Sequence, residues 1–308
     1  MRANLLPEFS VRKTIKALLT AILLSSTLYA AEPAPQPTPV QADPALWVVK
    51  DADTTIYLFG TVHLLRPRIA WFDGGVKAAY DASSEIVLEM VEPDPQVAQS
   101  LFMAKAIDPD GPALSAKLSP ADSAAYATVM GGLGIPVAAL EKMEPWFATT
   151  LLSIIAVQKA GYSADSGVEK QIASAAKKDG KKIGELESMQ IQLDMFDTMP
   201  EPMQIAFLNA TVAELPQSAE MLDVMVTNWA QGDPEALAAL MNKSMMMTPE
   251  LTKTLLTDRN ANWAQWIEKR LDQPGTIMIA VGAGHLAGTN SVQEMLKAKK
   301  IAVERIPS

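Results

Sequence analysis

The sequence predicts an α/β fold in which a central mixed β-sheet, built from strands at both ends of the chain, is covered by a large helical insert. Three observations carry this expectation. Thr55 to Leu64 reads Thr-Ile-Tyr-Leu-Phe-Gly-Thr-Val-His-Leu, an apolar run rich in β-formers that stops at a glycine and delivers a histidine three residues later. Thr276 to Leu286, Thr-Ile-Met-Ile-Ala-Val-Gly-Ala-Gly-His-Leu, echoes it. Glu85 to Met90 is a third short apolar run, closed by Pro93 and Pro95. Short apolar runs bounded by glycine or proline are the pattern of strands buried on both faces, as in the middle of an α/β sheet.

Taken in order, Leu46 to Lys50 and Thr54 to Gly60 read as two strands joined across Asp51-Ala52-Asp53, a hairpin. Leu65 to Arg68 is polar and proline-bearing, hence a loop, and Gly75 to Asp81 is a short helix. After the strand at Glu85 to Met90, Gln96 to Ile107 suits a helix, and Asp108 to Ser119 carries Asp-Pro-Asp-Gly-Pro turn chemistry. Ser119-Pro120 is a helix start, serine capping and proline in the first turn. The helical pattern then runs to Ala160, broken at Gly131-Gly132 and Pro136, restarting at Pro145-Trp146 and stopped by Gly161. Gly167 to Lys178 is a helix, Lys181 to Leu186 a brief strand, and Glu187 opens the next helix. Helices dominate from Met203 to Leu271, including a long one begun by Thr248-Pro249-Glu250. The strand Gly275 to Gly282, a helix at Ser291 to Lys299 and a strand at Ile301 to Ile306 complete the pattern. The two echoing strands lie at opposite ends of one domain, 45–308, and pair only if the chain closes on itself.

Residues 1–31 have the layout of a secretory signal peptide: Arg2, Arg12, Lys13 and Lys16, then an apolar stretch from Ala17 to Tyr29, then Ala30-Ala31. This predicts a periplasmic or secreted protein without stable membrane insertion after cleavage; the alternative is an uncleaved N-terminal membrane anchor. Residues 32–44, with prolines at 33, 35, 37, 39 and 44, read as an extended spacer, so folding is expected to begin near Ala45. The chain has no cysteine, which excludes disulfides, thiolate metal sites, a cysteine nucleophile and a lipoprotein anchor. Its net charge of -9 becomes -12 without residues 1–31, since four basic residues and Glu8 leave with them. Such an acidic chain with no basic run is not expected to bind nucleic acid.

The chemistry concentrates at the strand ends. His63 and His285 are the two histidines of the chain, and each stands just past the carboxyl end of a buried strand. Glu89 closes the third strand in the same way. In open α/β sheets that edge gathers ligands, because rigid strands there hold converging loops. Two imidazoles and a carboxylate make a coordination set with positions left for water. A metal so held lowers the pKa of bound water and polarises a carbonyl. No Gly-x-Ser-x-Gly elbow and no phosphate-binding glycine loop accompany these residues, so neither a serine nucleophile nor a nucleotide site is expected, and no residue is assigned to cofactor binding. Seventeen methionines, with Met245-Met246-Met247 and the pair Met221 and Met225, read as core filler rather than a copper site. Trp71, close after His63, and the helix tryptophans read as packing residues.

Gly60-Thr61-Val62-His63, Glu89, Pro145-Trp146, Gly167-Val168-Glu169, Leu186-Glu187, Arg259-Asn260 with Trp263, and Gly282-Ala283-Gly284-His285-Leu286 together resemble the TraB/GumN family. That family is related to the Tiki metalloproteases and, more distantly, to erythromycin esterase and ChaN-like folds; the resemblance extends from about Trp47 to Ile306. It implies a divalent-metal-dependent hydrolase acting on a peptide or protein substrate; the acidic charge and the two histidines are themselves compatible with manganese, cobalt, zinc or iron. His63, His285 and Glu89 would hold the metal, and Glu89, Glu187 and Arg259 would be the catalytic residues. Arg259 would stabilise developing negative charge, and Glu187 would be a second acid or orient water. Where the family usually has Asp, this chain has Glu169, one methylene longer, and no site role is carried over to it. The alternative reading is a non-catalytic protein that sequesters a peptide, haem or metal in the same pocket.

Overall fold

The computed structural model describes residues 40–244 and 248–307. The expected signal peptide at 1–31, most of the expected spacer and the methionine triplet at 245–247 lie outside the described residues. The strands are β1 (Val40–Gln41), β2 (Leu46–Lys50), β3 (Thr54–Thr61), β4 (Ile69–Ala70), β5 (Glu85–Leu88), β6 (Lys182–Glu185), β7 (Gly275–Gly282) and β8 (Glu304–Ile306). Six of them form one mixed sheet in the order β6-β5-β7-β3-β2-β8, and β1 pairs with β4 apart from it.

Local chemistry explains the hairpin of β2 and β3. The Asp51 side chain accepts from the amides of Asp53 and Thr54 at 3.1 and 2.9 Å, a turn that aspartate stabilises with its own carboxylate. Leu46 then lies opposite Phe59 and Val49 opposite Ile56. The chain does close on itself: β3 runs parallel to β7, with Gly60 beside Val281 and Thr61 beside Gly282. β5 runs parallel on the other side of β7, so the three predicted strand ends emerge at one edge in adjacent positions. Alternation sends Ile56, Leu58, Val87, Ile277, Ile279 and Val281 to one face, and Phe59, Ile86, Leu88, Met278 and Ala280 to the other.

Helices cover both faces. On the first face pack Trp263, Ala264 and Ile267, with Val292 and Leu296 of the helix Val292–Ala298. The second is covered by α1 (Gly74–Ala82), α2 (Val168–Lys178) and Trp229 of α3 (Ser218–Ala230). Much of the insert instead builds a core of its own from Leu114, Tyr126, Met130, Leu152, Leu208 and Val212. The long helix predicted at Thr248 is a composite: Pro249–Thr252, a π-turn at Lys253–Thr257, and then α4 (Asp258–Arg270).

Several expected boundaries move for identifiable reasons. Ordered structure begins before Ala45, because Val40 and Ala42 donate to the carbonyls of Arg68 and Ala70, and Ala42 is buried. Gly131-Gly132 does not break its helix, which runs from Pro120 to Leu133. At Gly161 the expected stop is made: Gly161 N–H donates to Gln158 and Tyr162 N–H to Val157, the paired bonds of a Schellman end. Glu187 does not open its helix; Ser188 caps it by accepting from the Ile191 amide, leaving Glu187 one residue outside. Trp71 lies in the core, stacked on Phe59 and edge-on to Trp229. No helix among the described residues is long and apolar enough to cross a membrane.

Candidate functional site

β5 ends at Leu88, so Glu89 is the first residue beyond the sheet and turns inward beside the end of β7. Its Oε1 accepts from the Gly282 amide at 2.6 Å and lies 3.7 Å from His285 Nε2. Its Oε2 accepts from Arg259 Nη2 at 2.7 Å. Gly282 is needed for this approach: a Cβ there would stand 3.0 Å from Glu89 Oε1, 3.6 Å from His285 Cδ2 and 4.0 Å from His63 Nε2. Those three distances also show that both imidazoles and the carboxylate surround the same glycine.

Each imidazole is tied through Nδ1. His285, in the short helical turn that follows β7, has Nδ1 2.6 Å from Asn260 Oδ1, and the Asn260 amide nitrogen donates to the Asn290 carbonyl at 2.8 Å. That second bond makes Oδ1 the acceptor, so His285 carries its proton on Nδ1 and presents a lone pair at Nε2. Burial pushes its pKa down to about 3, with the charges of Arg259 and His63 assisting and Glu89 opposing, and His285 is neutral near pH 7. His63 Nδ1 is 2.9 Å from Glu169 Oε1, which also accepts from the Thr61 hydroxyl. The Glu169 bond raises His63 to about 9 against the effect of burial, with the charges of Glu169 and Glu89 assisting. The His63 side chain is 70% accessible, so solvent screens this pair and its worth in stability is small. The loop carrying His63 is pinned from both sides: Val168 N–H donates to the Val62 carbonyl, and Leu65 and Ser163 exchange backbone bonds.

Arg259 lies at the centre rather than on the surface, with its side chain 11% exposed. Nε is 3.0 Å from both Glu187 oxygens, Nη2 is 2.8 Å from Glu187 Oε2, and Nη1 reaches the Leu255 carbonyl at 3.1 Å and His285 Nε2 at 3.0 Å. Its guanidinium sits over the Trp263 ring at 4.7 Å, one helical turn along α4, where the pair is brought together by i,i+4 spacing. Trp263 Nε1 in turn donates to Glu187 Oε1 at 3.0 Å, and Gln192 to Oε2 at 3.3 Å. Glu187 is therefore fully engaged in holding Arg259. Burial alone would raise the Glu89 carboxyl. The imidazole of His285, the guanidinium of Arg259, His63 and the Gly282 amide outweigh it and hold Glu89 down at about 2. Because His285 is neutral, the charges of Arg259 and of His63, protonated below about pH 9, are the partners that act near pH 7.

The structure thus brings His63, His285, Glu89, Glu187 and Arg259 to one place. Sequence reasoning gave no role to Glu169, and none to Asn260 or Thr61, all of which fix the imidazoles. For Asn260 the available signal was its place beside Arg259 and one turn before Trp263. Pro145-Trp146 is not part of the site; Trp146 packs with Phe102 and Phe196 in a separate helical core. As the side chains stand, no group of three or more His, Asp or Glu among the described residues encloses a point that would hold a metal ion. The positive charges at the centre are the permanent one of Arg259 and that of His63 below about pH 9.

Fold and site together define an α/β protein with a buried histidine–carboxylate–guanidinium centre at the ends of three parallel strands. The chain belongs to the TraB/PrgY/gumN family, whose profile matches residues 45–305. It is 27% identical over 165 residues to the uncharacterized protein YbaP of Escherichia coli (strain K12), covering 54% of this chain and 61% of that one. An uncharacterized protein of Treponema pallidum (strain Nichols) is 22% identical over 273 residues, covering 83% of this chain and 80% of its own. No solved structure matches.

Proposed function

We propose that this protein is an exported, periplasmic or secreted, metal-dependent hydrolase that cleaves peptides. The observation that carries the reading is the pair of imidazoles tied at Nδ1 to Glu169 and Asn260, with Glu89 Oε1 beside the glycine they share. Ligating histidines are typically held in this way through the other ring nitrogen. The donors fit a divalent ion in kind: His285 through its Nε2 lone pair, Glu89 through Oε1, and His63 through Nε2 once it gives up the proton that its bond to Glu169 retains up to about pH 9. Such an ion, manganese, cobalt or zinc, would acidify bound water and polarise the scissile carbonyl.

The chain's own residues supply the rest. Glu89, Glu187 and Glu169 bring three negative charges against those of Arg259 and His63, leaving the centre attractive to a cation. Glu89, held ionised, is suited to ligation more than to taking up a proton. In Arg259, Nε and Nη2 are committed to carboxylates and Nη1 bonds the Leu255 carbonyl and His285 Nε2; the Nη1–H that His285 now holds is the one that would face a developing oxyanion once an ion takes that imidazole. Glu187 and Trp263 fix the plane of that guanidinium.

The test is metal content together with turnover of a peptide library, comparing wild type with His63→Ala and His285→Ala. Metal-dependent cleavage reduced about 100-fold or more in both folded variants is the expected result. A wild type that neither retains nor responds to any divalent ion sinks the proposal. One observation favours a second reading, sequestration without cleavage: Arg259 already neutralises Glu89 and fills the His285 lone pair. That reading predicts peptide binding that persists with the metal removed and no cleavage under any condition.

A further inference from the structure

We infer that Arg259 is a built-in competitor for the metal position: its Nη1 holds the Nε2 lone pair of His285, and a divalent ion gains that ligand only as the bond is given up. The inference rests on the metal-dependent reading above and adds to it how the ion is admitted.

The competition is fixed by geometry. Asn260 commits the His285 proton to Nδ1, so Nε2 has a lone pair and one neighbour to share it with, the Arg259 Nη1–H at 3.0 Å. The guanidinium has little freedom to turn away. Glu187 grips it at Nε and Nη2, Glu89 at Nη2, the Leu255 carbonyl at the far side of Nη1, and Trp263 lies against its face. The Leu255 carbonyl belongs to the π-turn that precedes α4, so the backbone irregularity and the arginine meet at the same point. π-turns inside helices recur at functional sites.

Charge acts in the same direction. A guanidinium stays protonated at any ordinary pH, so solution conditions do not relieve the repulsion between it and a dication sharing the ligands Glu89 and His285. The same charge serves the protein when no ion is bound, because two buried carboxylates would otherwise face each other uncompensated. Arg259 thereby separates folding from metal binding. Small metal-bound domains often lack that separation and fold only with their ion.

The experiment titrates the purified protein with Co2+ and with Zn2+, comparing wild type, Arg259→Met and Arg259→Lys. Binding is read from the visible absorption of nitrogen-ligated Co2+ and from the thermal unfolding midpoint. In Arg259→Met the apparent Kd for Co2+ is expected to fall about 10- to 100-fold, the range typical of changes beside a metal ligand. That variant should also unfold at lower temperature without metal and regain more than wild type on adding it. Arg259→Lys keeps the charge but cannot span Glu89, Glu187 and His285 together, so its Kd should fall by a smaller factor in the same direction. If Arg259→Met fails to fold without metal, the comparison is carried by Arg259→Lys. Wild type that binds Co2+ while the folded variants bind it no tighter overturns the inference and leaves the metal-dependent reading standing. No binding by wild type or variants overturns both.

Discussion

Gly282 is the residue on which the centre turns, since it gives its amide to Glu89 and leaves room for both imidazoles. Gly282→Ala places a methyl group 3.0 Å from Glu89 Oε1, so the carboxylate or the strand end must move. The shift asked for is a few tenths of an ångström at the Glu89 carboxylate, so peptide turnover is expected to fall by less than the roughly 100-fold that a 1 Å misplacement costs, with the far-UV circular dichroism unchanged. The titrating residues give a second expectation. His285 falls from 6.5 to about 3 on folding, so its neutral form favours the native state above pH 6.5, and this advantage is lost as pH falls toward 3. Glu89 falls from 4.5 to about 2, so its contribution is present above pH 4.5 and lost as pH falls toward 2. Both act in the same sense. Urea unfolding midpoints should decline steadily between pH 6.5 and 3, and less steeply in His285→Gln. Midpoints that hold steady across that interval would contradict the assignment.

At the scale of elements, the hairpin, β5 and β7 were legible because their apolar runs are short and bounded by turn residues. The structure adds how their ends are locked. Trp229 of α3 donates Nε1 to the Gly60 carbonyl at 2.8 Å, fixing the first Gly-x-x-His turn from the second face of the sheet. Trp229→Phe keeps most of the ring but leaves that buried carbonyl without its donor, so a loss of about 1–3 kcal/mol is expected in urea denaturation. Gly167 does the same work for the His63 loop by closeness alone. A Cβ at position 167 would lie 2.4 Å from the His63 carbonyl oxygen, and backbone must give way. Gly167→Ala should therefore lower turnover by displacing His63 while the His285 side of the site is kept. Imidazole NMR distinguishes the two: the His63 resonances move and those of His285 stay.

For the molecule as a whole, a ligand that binds only the native state stabilises it by mass action. A divalent ion at 100 times its Kd should add about 2.7 kcal/mol, visible as a higher thermal midpoint. His285→Ala should remove that shift. An equal shift in the variant would mean that the ion binds elsewhere on this acidic surface.

How much was legible differs between the backbone and the site. Strand periodicity, the repeated Gly-x-x-His and the lack of cysteine are local properties, and they determined the fold class, the strand ends and His63, Glu89 and His285 as candidates; Glu187 and Arg259 became candidates only through the resemblance to the TraB/GumN family. Only the tertiary structure decided that β3 and β7 lie side by side, which places the two repeats around one glycine. It also decided that Arg259 is buried between carboxylates instead of exposed on a helix, and that Glu169 and Asn260 hold the imidazoles. The physical reason is range: a strand or a cap is set by neighbours a few residues away, whereas the charge and tautomer of a buried side chain are set by partners such as Arg259 and Glu89, 170 residues apart in the chain.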